Sequence, residues 1–340
     1  MSSPHFSSLS THTVKKIYYL PMMELLYRAH NTHRKHFDPN KIQTSKLLSI
    51  KTGGCPENCS YCPQSAHYQT GVDKEKLMNL DKVISAAKKA KAEGATRFCM
   101  GAAWREVRDG PQFDRVLEMV SAVHKLDMEV CCTLGMLSKL QAQKLKQAGL
   151  YAYNHNIDCS KNFYPNIITT RSYKDRIQTI HNVREAGITV CTGGILGMGE
   201  TEQDRIDFLH QLAIFDPQPE SVTINKLIPI PGTPLATQKP IFTMEVVRVI
   251  GTARLIMPKA MIRLSAGRTG MTESDQFLCF FAGANSIFIG EKLLTSSNPE
   301  LPHDKTMLKD LGLMASTKKD FSSMKTTSVK TIDNGYTEPV

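Results

Sequence analysis

No apolar run in this sequence approaches the roughly 18 to 20 residues that a spanning helix needs, so no membrane is expected as a partner. No secretory signal accompanies the nine cysteines, and their odd number argues against a disulfide framework. Metal or redox chemistry in a reducing compartment fits better. The first 23 residues carry no acidic side chain, as in a transit peptide, but they also lack arginine and a helical stretch soon follows. The expectation is a cytoplasmic protein, or one of the mitochondrial matrix in a eukaryote. The net charge of +10 has no aromatic-studded basic face to concentrate it. Lys and Arg are dispersed over stretches such as Lys82 to Lys91, which reads as solvated surface and sets nucleic acid aside as a partner. With 41% hydrophobic and 22% charged residues, the composition suits a globular enzyme with a sizeable core, in one large domain or two.

What is present is an alternation. From about residue 46, short β-rich runs alternate with stretches of helical period, the pattern of a parallel sheet wrapped by helices. The runs are Leu47 to Lys51, Thr96 to Ala102, Glu129 to Leu134, Tyr151 to Ile157, Thr189 to Leu196, Val222 to Ile228, Met261 to Ala266 and Ser286 to Ile289. Gly94, Gly149, Gly187 and Gly283 mark helix ends. Eight units over about 245 residues match an α/β fold of the TIM-type (β/α)8 barrel, and a doubly wound open sheet is the alternative. Residues 1–45 read as an N-terminal helical extension, with one amphipathic helix over 14–36 acting as a lid or plug. The barrel spans 46–313. Residues 314–340 are rich in Ser, Thr and Lys and bury too little surface to offset their entropy, so a disordered tail is expected there.

The segment Cys55-Pro-Glu-Asn-Cys59-Ser-Tyr-Cys62 follows the first strand, so its Cys-x3-Cys-x2-Cys spacing lies on the barrel's C-terminal rim, where barrel enzymes do chemistry. Three thiolates from one loop can clasp three irons of a cubane and leave the fourth iron to an outside ligand. Zinc is the competing reading, but closed zinc sites generally use a second Cys-x2-Cys pair, and none follows. Cys99, Cys131 or Cys132, and Cys191 fall on three further strands, and Arg263 on another, a pattern suggesting a second metal centre in the lumen. Strand parity alone does not choose between Cys131 and Cys132. Asn154, Asn156 and Asp158 end the fourth strand at period two and so share a side. Gly193 and Gly194 end the fifth, where they would let backbone approach a ligand closely.

The three-cysteine spacing, with Tyr61 directly before the last, resembles the signature of the radical S-adenosylmethionine (SAM) superfamily. Arg97-Phe-Cys-Met-Gly-Ala-Ala-Trp104, Tyr153-Asn-His-Asn-Ile-Asp158 and Ile262-Arg-Leu-Ser-Ala-Gly-Arg268 narrow the resemblance to the biotin synthase family, over about residues 14 to 313. The resemblance implies that Cys55, Cys59 and Cys62 hold a 4Fe-4S cluster whose open iron binds SAM, and that electron transfer to SAM yields a 5′-deoxyadenosyl radical. It further implies a 2Fe-2S cluster held by Cys99, Cys131, Cys191 and Arg263, whose sulfide enters dethiobiotin at two carbons, and it leaves Cys132, Cys159 and Cys279 as bystanders. An arginine ligand is physically odd, because guanidinium offers no lone pair, yet a weak ligand suits a cluster that is dismantled. Implied SAM contacts are Tyr61, Asn156, Asp158, Arg176 and Ile195. Implied substrate contacts are Asn156 and Asn225 at the ureido ring and the hydroxyls of Thr295 and Ser296 at the carboxylate. A flavodoxin- or ferredoxin-type electron donor, the iron-sulfur cluster assembly machinery and a homodimer complete the implied partners. Two rivals remain: another radical SAM enzyme of the same subgroup, and a non-catalytic iron-sulfur electron carrier.

Overall fold

The computed structural model describes residues 9–317 and 320. In chain order its strands are β1 (Lys41–Lys51), β2 (Arg97–Ala102), β3 (Glu129–Thr133), β4 (Ala152–Asn154), β5 (Thr189–Leu196), β6 (Ser221–Lys226), β7 (Met261–Leu264), β8 (Ser286–Phe288) and β9 (Met314–Ala315). Strands β1 to β8 pair in parallel with their sequence neighbours, and β1 pairs with both β8 and β2, so the sheet closes into a barrel and is not the open alternative. The helices are α1 (Thr11–Tyr18), α2 (Met22–His36), α3 (Leu80–Ala92), α4 (Pro111–His124), α5 (Lys139–Gln147), α6 (Tyr173–Glu185), α7 (Glu202–Ala213), α8 (Thr243–Ile256), α9 (Glu273–Phe281) and α10 (Leu301–Asp310). Reciprocal capping boxes start α5 (Ser138 with Gln141), α6 (Ser172 with Asp175), α7 (Thr201 with Asp204) and α9 (Thr272 with Asp275), which satisfies amide donors that the first turn leaves unpaired.

Three boundaries differ from the sequence expectation. The single helix over 14–36 is two helices, because Pro21 takes the N-cap of α2 and restricts the residue before it. This pair is neither lid nor plug. It packs on the outside against α7, α8 and α9, where the Tyr18 hydroxyl donates to Glu245 at 2.9 Å and accepts from Arg205 at 3.0 Å. β1 begins at Lys41, so residues 41–45, expected in the extension, are barrel. At the other end, Met314 and Ala315, expected in the tail, pair in parallel with Lys41 and Ile42. The rest of the expected tail, apart from Ser316, Thr317 and Asp320, lies outside the described residues.

The main apolar core fills the shell between strands and helices, while a small second group containing Cys99, Cys131, Ala152 and Phe288 faces the lumen. Cys132 belongs to the shell. Strand alternation thus sends the two adjacent cysteines to opposite sides of β3.

Candidate active site

The cysteine loop leaves β1 at Lys51. Gly53 and Gly54 follow with φ of 67° and 65°, and a Cβ on Gly53 would stand 2.4 Å from the Asp73 carbonyl oxygen, so the turn requires glycine there. The Cys55 amide donates to the Gln64 carbonyl at 2.9 Å and the Ala66 amide to the Cys55 carbonyl at 2.7 Å, pinning the loop's ends together. Glu57, buried within the loop, pairs with Arg105 at 3.2 Å and lies 4.0 Å from Arg171, and it accepts a hydrogen bond from the Thr170 hydroxyl. Burial pushes the Cys59 thiol up to about 11 and the Cys62 thiol up to about 12, the latter with help from Cys59 and Cys55 beside it. Thiols penalised by burial and by one another are suited to a multiply charged cation. Among the described residues, no three His, Cys, Asp or Glu side chains converge on one point as a single metal ion demands. Ligands that bind different irons of one cluster need not do so.

Deeper in the lumen, register sets Leu47, Cys99, Cys131 and Ala152 side by side on β1 to β4. Hydrogen bonding from Cys131 lowers the Cys99 thiol against the effect of burial, with Arg263 and Arg97 adding to it. The same bond, and burial, raise Cys131. Cys191 on β5 lies 3.4 Å from both the Ser221 hydroxyl and the Asn154 amide nitrogen. Arg263 on β7 is buried, stacked 4.5 Å from the Phe288 ring centroid, and fixed by Nε donating to Ser286 at 2.9 Å and Nη2 to Ser45 at 3.1 Å and Gln43 at 3.3 Å. Arg97, paired with Glu129 at 2.9 Å, has a buried Nη1 without a partner among the described residues. Three thiols beside two guanidiniums and one carboxylate make a lumen suited to an anionic thiolate and sulfide cluster. From the level of Cys99 to the strand end at Lys51, β1 climbs four residues, or about 13 Å at about 3.3 Å each.

Between the two levels lies a cavity of about 260 Å³. Cys62 and Tyr61 line its upper part, Cys99, Cys131 and Arg263 its floor, and Asn156, Asp158, Ile195, Asn225, Thr295 and Ser296 its walls. The Asn156 side-chain Oδ1 accepts from Thr223 at 2.9 Å and from Asn154 at 3.2 Å, which leaves its NH₂ for a ligand. Asn225 accepts from the Ala266 amide at 3.1 Å and donates one N–H to the Gly194 carbonyl at 2.9 Å, leaving the other. Both asparagines therefore offer donors. Asp158 sits at φ 68° and its carboxylate receives Tyr61 at 2.8 Å and an ion pair from Arg176.

Several implied residues are placed differently from a direct contact. Arg176 is buried outside the cavity wall, donating to the Tyr164 hydroxyl at 2.9 Å and the Asn156 backbone carbonyl at 2.7 Å as well as holding Asp158. Cys191 lies behind the cavity surface. At Gly193 and Gly194 the close approach is made by the protein itself: a Cβ would stand 1.9 Å from the Thr223 carbonyl oxygen or 2.3 Å from that of Asp158. Sequence reasoning missed Gln43, Ser45, Arg97, Ser286 and Thr223. Thr223 alone had a signal, lying two residues before Asn225 on one strand.

Residues 49–212, which carry this cysteine loop on the rim of a closed parallel barrel, match the Radical SAM superfamily, and the chain is a radical SAM enzyme. The Biotin and Thiamin Synthesis associated domain matches residues 223–314. The biotin synthase of Christiangramia forsetii is 57% identical over 300 residues, covering 88% of this chain and 83% of that one. The mitochondrial biotin synthase of Arabidopsis thaliana is 56% identical over 302 residues, covering 88% and 80%. The chain belongs to the biotin synthase family. Its fold is shared with solved structures of far lower identity, such as methylornithine synthase (TM-score 0.77, 17% identical, covering 93% of this chain and 96% of that one). Among the described residues no helix is long and apolar enough to cross a membrane.

Proposed function

We propose that this chain converts dethiobiotin to biotin, with Cys55, Cys59 and Cys62 holding a 4Fe-4S cluster and Cys99, Cys131, Cys191 and Arg263 holding a 2Fe-2S cluster. The observation that carries the reading is two cysteine sets at two heights of one lumen, with the cavity between them. When bound, the rim cluster and SAM together supply hydrogen abstraction, and the lumen cluster is the sulfur-donating substrate. Asn156 and Asn225 donate their free N–H groups to the ureido carbonyl oxygen, which has two lone pairs to receive them. Thr295 and Ser296 receive the carboxylate on the opposite wall. Tyr61, Asp158 and Ile195 contact SAM, and Arg176 orients SAM by holding Asp158. Leu47, Leu227 and Leu293 keep water from the reacting carbons. The electron donor is a flavodoxin- or ferredoxin-type carrier, the clusters come from the iron-sulfur assembly machinery, and the enzyme is a homodimer of the cytoplasm or, in a eukaryote, the mitochondrial matrix.

The test is anaerobic incubation of cluster-reconstituted protein with SAM, dithionite and dethiobiotin, followed by mass spectrometry. Biotin and 5′-deoxyadenosine are expected. Deoxyadenosine without biotin refutes the substrate, and neither product refutes the radical chemistry.

A further inference from the structure

A second cavity, of about 560 Å³, opens on the rim outside the barrel mouth and is lined by Lys51, Lys74, Glu75, Lys76, Gln112 and Arg115 among others. It sets four cationic side chains against one carboxylate, and nothing in the chemistry above uses them. Lys74, Lys76 and Arg115 are exposed, whereas Lys51 is half-buried. One wall of this cavity, Lys51 with the segment at 74–77, adjoins the start of the cysteine loop. The Glu75 amide donates to the Thr52 carbonyl at 2.9 Å. The stem of Lys74 lies across Gly54, where a Cβ would meet its Cδ at 2.9 Å. The Lys51 ammonium donates to the carbonyls of Gly53 and, at 3.1 Å, Ala103. Lys51, in the cavity lining, thus stands four residues before Cys55, where the loop leaves β1.

We propose that this basic recess is the docking surface for an acidic one-electron carrier protein that reduces the rim cluster. The proposal rests on the iron-sulfur reading of the cysteine loop and adds the place where the reductant sits. Electron transfer weakens steeply with distance, so a carrier must approach this loop from outside, and the cavity between the clusters is occupied by substrates during turnover. The carrier gives up one electron and the cluster takes it; no atom is exchanged. A small anion is a poorer occupant. The one half-buried cation, Lys51, spends its donors on backbone carbonyls, and the exposed cations are spread over the segment at 74–76 and over α4. Such an arrangement attracts a broad field of opposite charge more than it clasps a single phosphate.

The test has two readouts on the cluster-bearing protein. Binding of an oxidised acidic flavodoxin is titrated at low and high salt without turnover, and SAM cleavage is driven either by that flavodoxin with its reductase or by dithionite. In the parent, affinity is expected to fall as salt rises. In Lys74→Glu/Lys76→Glu/Arg115→Glu, the flavodoxin concentration for half-maximal binding and for half-maximal SAM cleavage is expected to rise about tenfold or more, with dithionite-driven cleavage unchanged. The milder Lys74→Gln/Lys76→Gln/Arg115→Gln is expected to fall between. Flavodoxin binding and use equal to the parent in the reversal variant would overturn the docking surface. So would an equal loss with dithionite, since the patch would then act on the cluster and not on the carrier. Absence of SAM cleavage by the parent with dithionite would instead bring down the iron-sulfur reading, and the docking proposal with it.

Discussion

Two adjacent cysteines on β3 should behave as opposites. Cys131 faces the lumen at the level of Cys99, and Cys132 faces the shell core, both nearly inaccessible to solvent. Cys132→Ala removes a sulfur from a packed apolar layer. The lost transfer energy of about one methylene-sized group, together with the small void left behind, comes to about 1 to 2 kcal/mol of stability. Cys131→Ala removes a sulfur from the wall of a cavity that already exists, so its packing cost in the cluster-free protein is smaller, about 1 kcal/mol including the hydrogen bond to Cys99. The visible absorption should follow the reverse order. After anaerobic reconstitution, Cys131→Ala is expected to lose the 2Fe-2S absorption and about two irons per chain, while Cys132→Ala keeps both. Absorption spectra with iron and sulfide analysis read the first effect, and urea unfolding of the cluster-free variants reads the second. A Cys132→Ala protein that lost the lumen cluster, beside a Cys131→Ala protein that kept it, would refute the assignment of faces.

Three further outcomes follow from local geometry. Thr223→Val leaves the Asn156 carbonyl one donor short and frees the amide to turn, so the KM for dethiobiotin should rise about fivefold, equivalent to about 1 kcal/mol, with little loss of SAM cleavage in steady-state assays. Gly194→Ala drives a methyl into the Asp158 carbonyl and the Phe208 ring, at 2.3 and 2.7 Å, and should cost about 1 to 3 kcal/mol in denaturant unfolding while weakening SAM binding. His33 is fully buried with neither ring nitrogen bonded to any described residue, and burial, then Arg254 and His30, lower its pKa to about 3 from 6.5. Protons bind the unfolded chain first as pH falls, so stability is lost from about pH 6.5 down to about 3, by about 2 kcal/mol at pH 5. In His33→Leu the drop in unfolding free energy between pH 8 and pH 5 should shrink by that amount, and an unchanged drop would exclude His33 as its source.

The barrel was legible because its strands are buried on both faces and read as apolar runs; Thr189 to Leu196 matches β5 residue for residue. β1 shows where that signal fails. Its first half, Lys41 to Lys46, has no apolar alternation because the lumen there takes Gln43 and Ser45, which hold Arg263, so the apolar signal begins only at Leu47. The rim cysteines were legible from spacing alone, whereas strand pattern left Cys131 and Cys132 open; the resemblance singled out Cys131, and the pairing of Cys99 with Cys131 gives the physical reason. Arg176 was least legible. An arginine on a capped helix is ordinarily a surface charge, and only the left-handed turn at Asp158, reached through the fold, gives it a buried carboxylate.

The vertical order of the lumen also constrains the order of events. Below Cys99 and Cys131 the floor is lined by buried side chains from four strands, Gln43 and Ser45 of β1, Arg97 of β2, Arg263 of β7 and Ser286 of β8, with the partly buried Glu129 of β3 paired to Arg97. The way to the floor from the rim runs through the same cavity that lines both cysteine levels, the cavity that dethiobiotin would fill. On the proposed reading, the lumen cluster must therefore be installed before the substrate binds. Once its sulfur is spent, it can be rebuilt only after biotin has left. Substrate held in the cavity should then protect the lumen cluster from chelators and, in the spent enzyme, block its restoration, so retained biotin would limit the enzyme to a single turnover however much iron and sulfide were supplied.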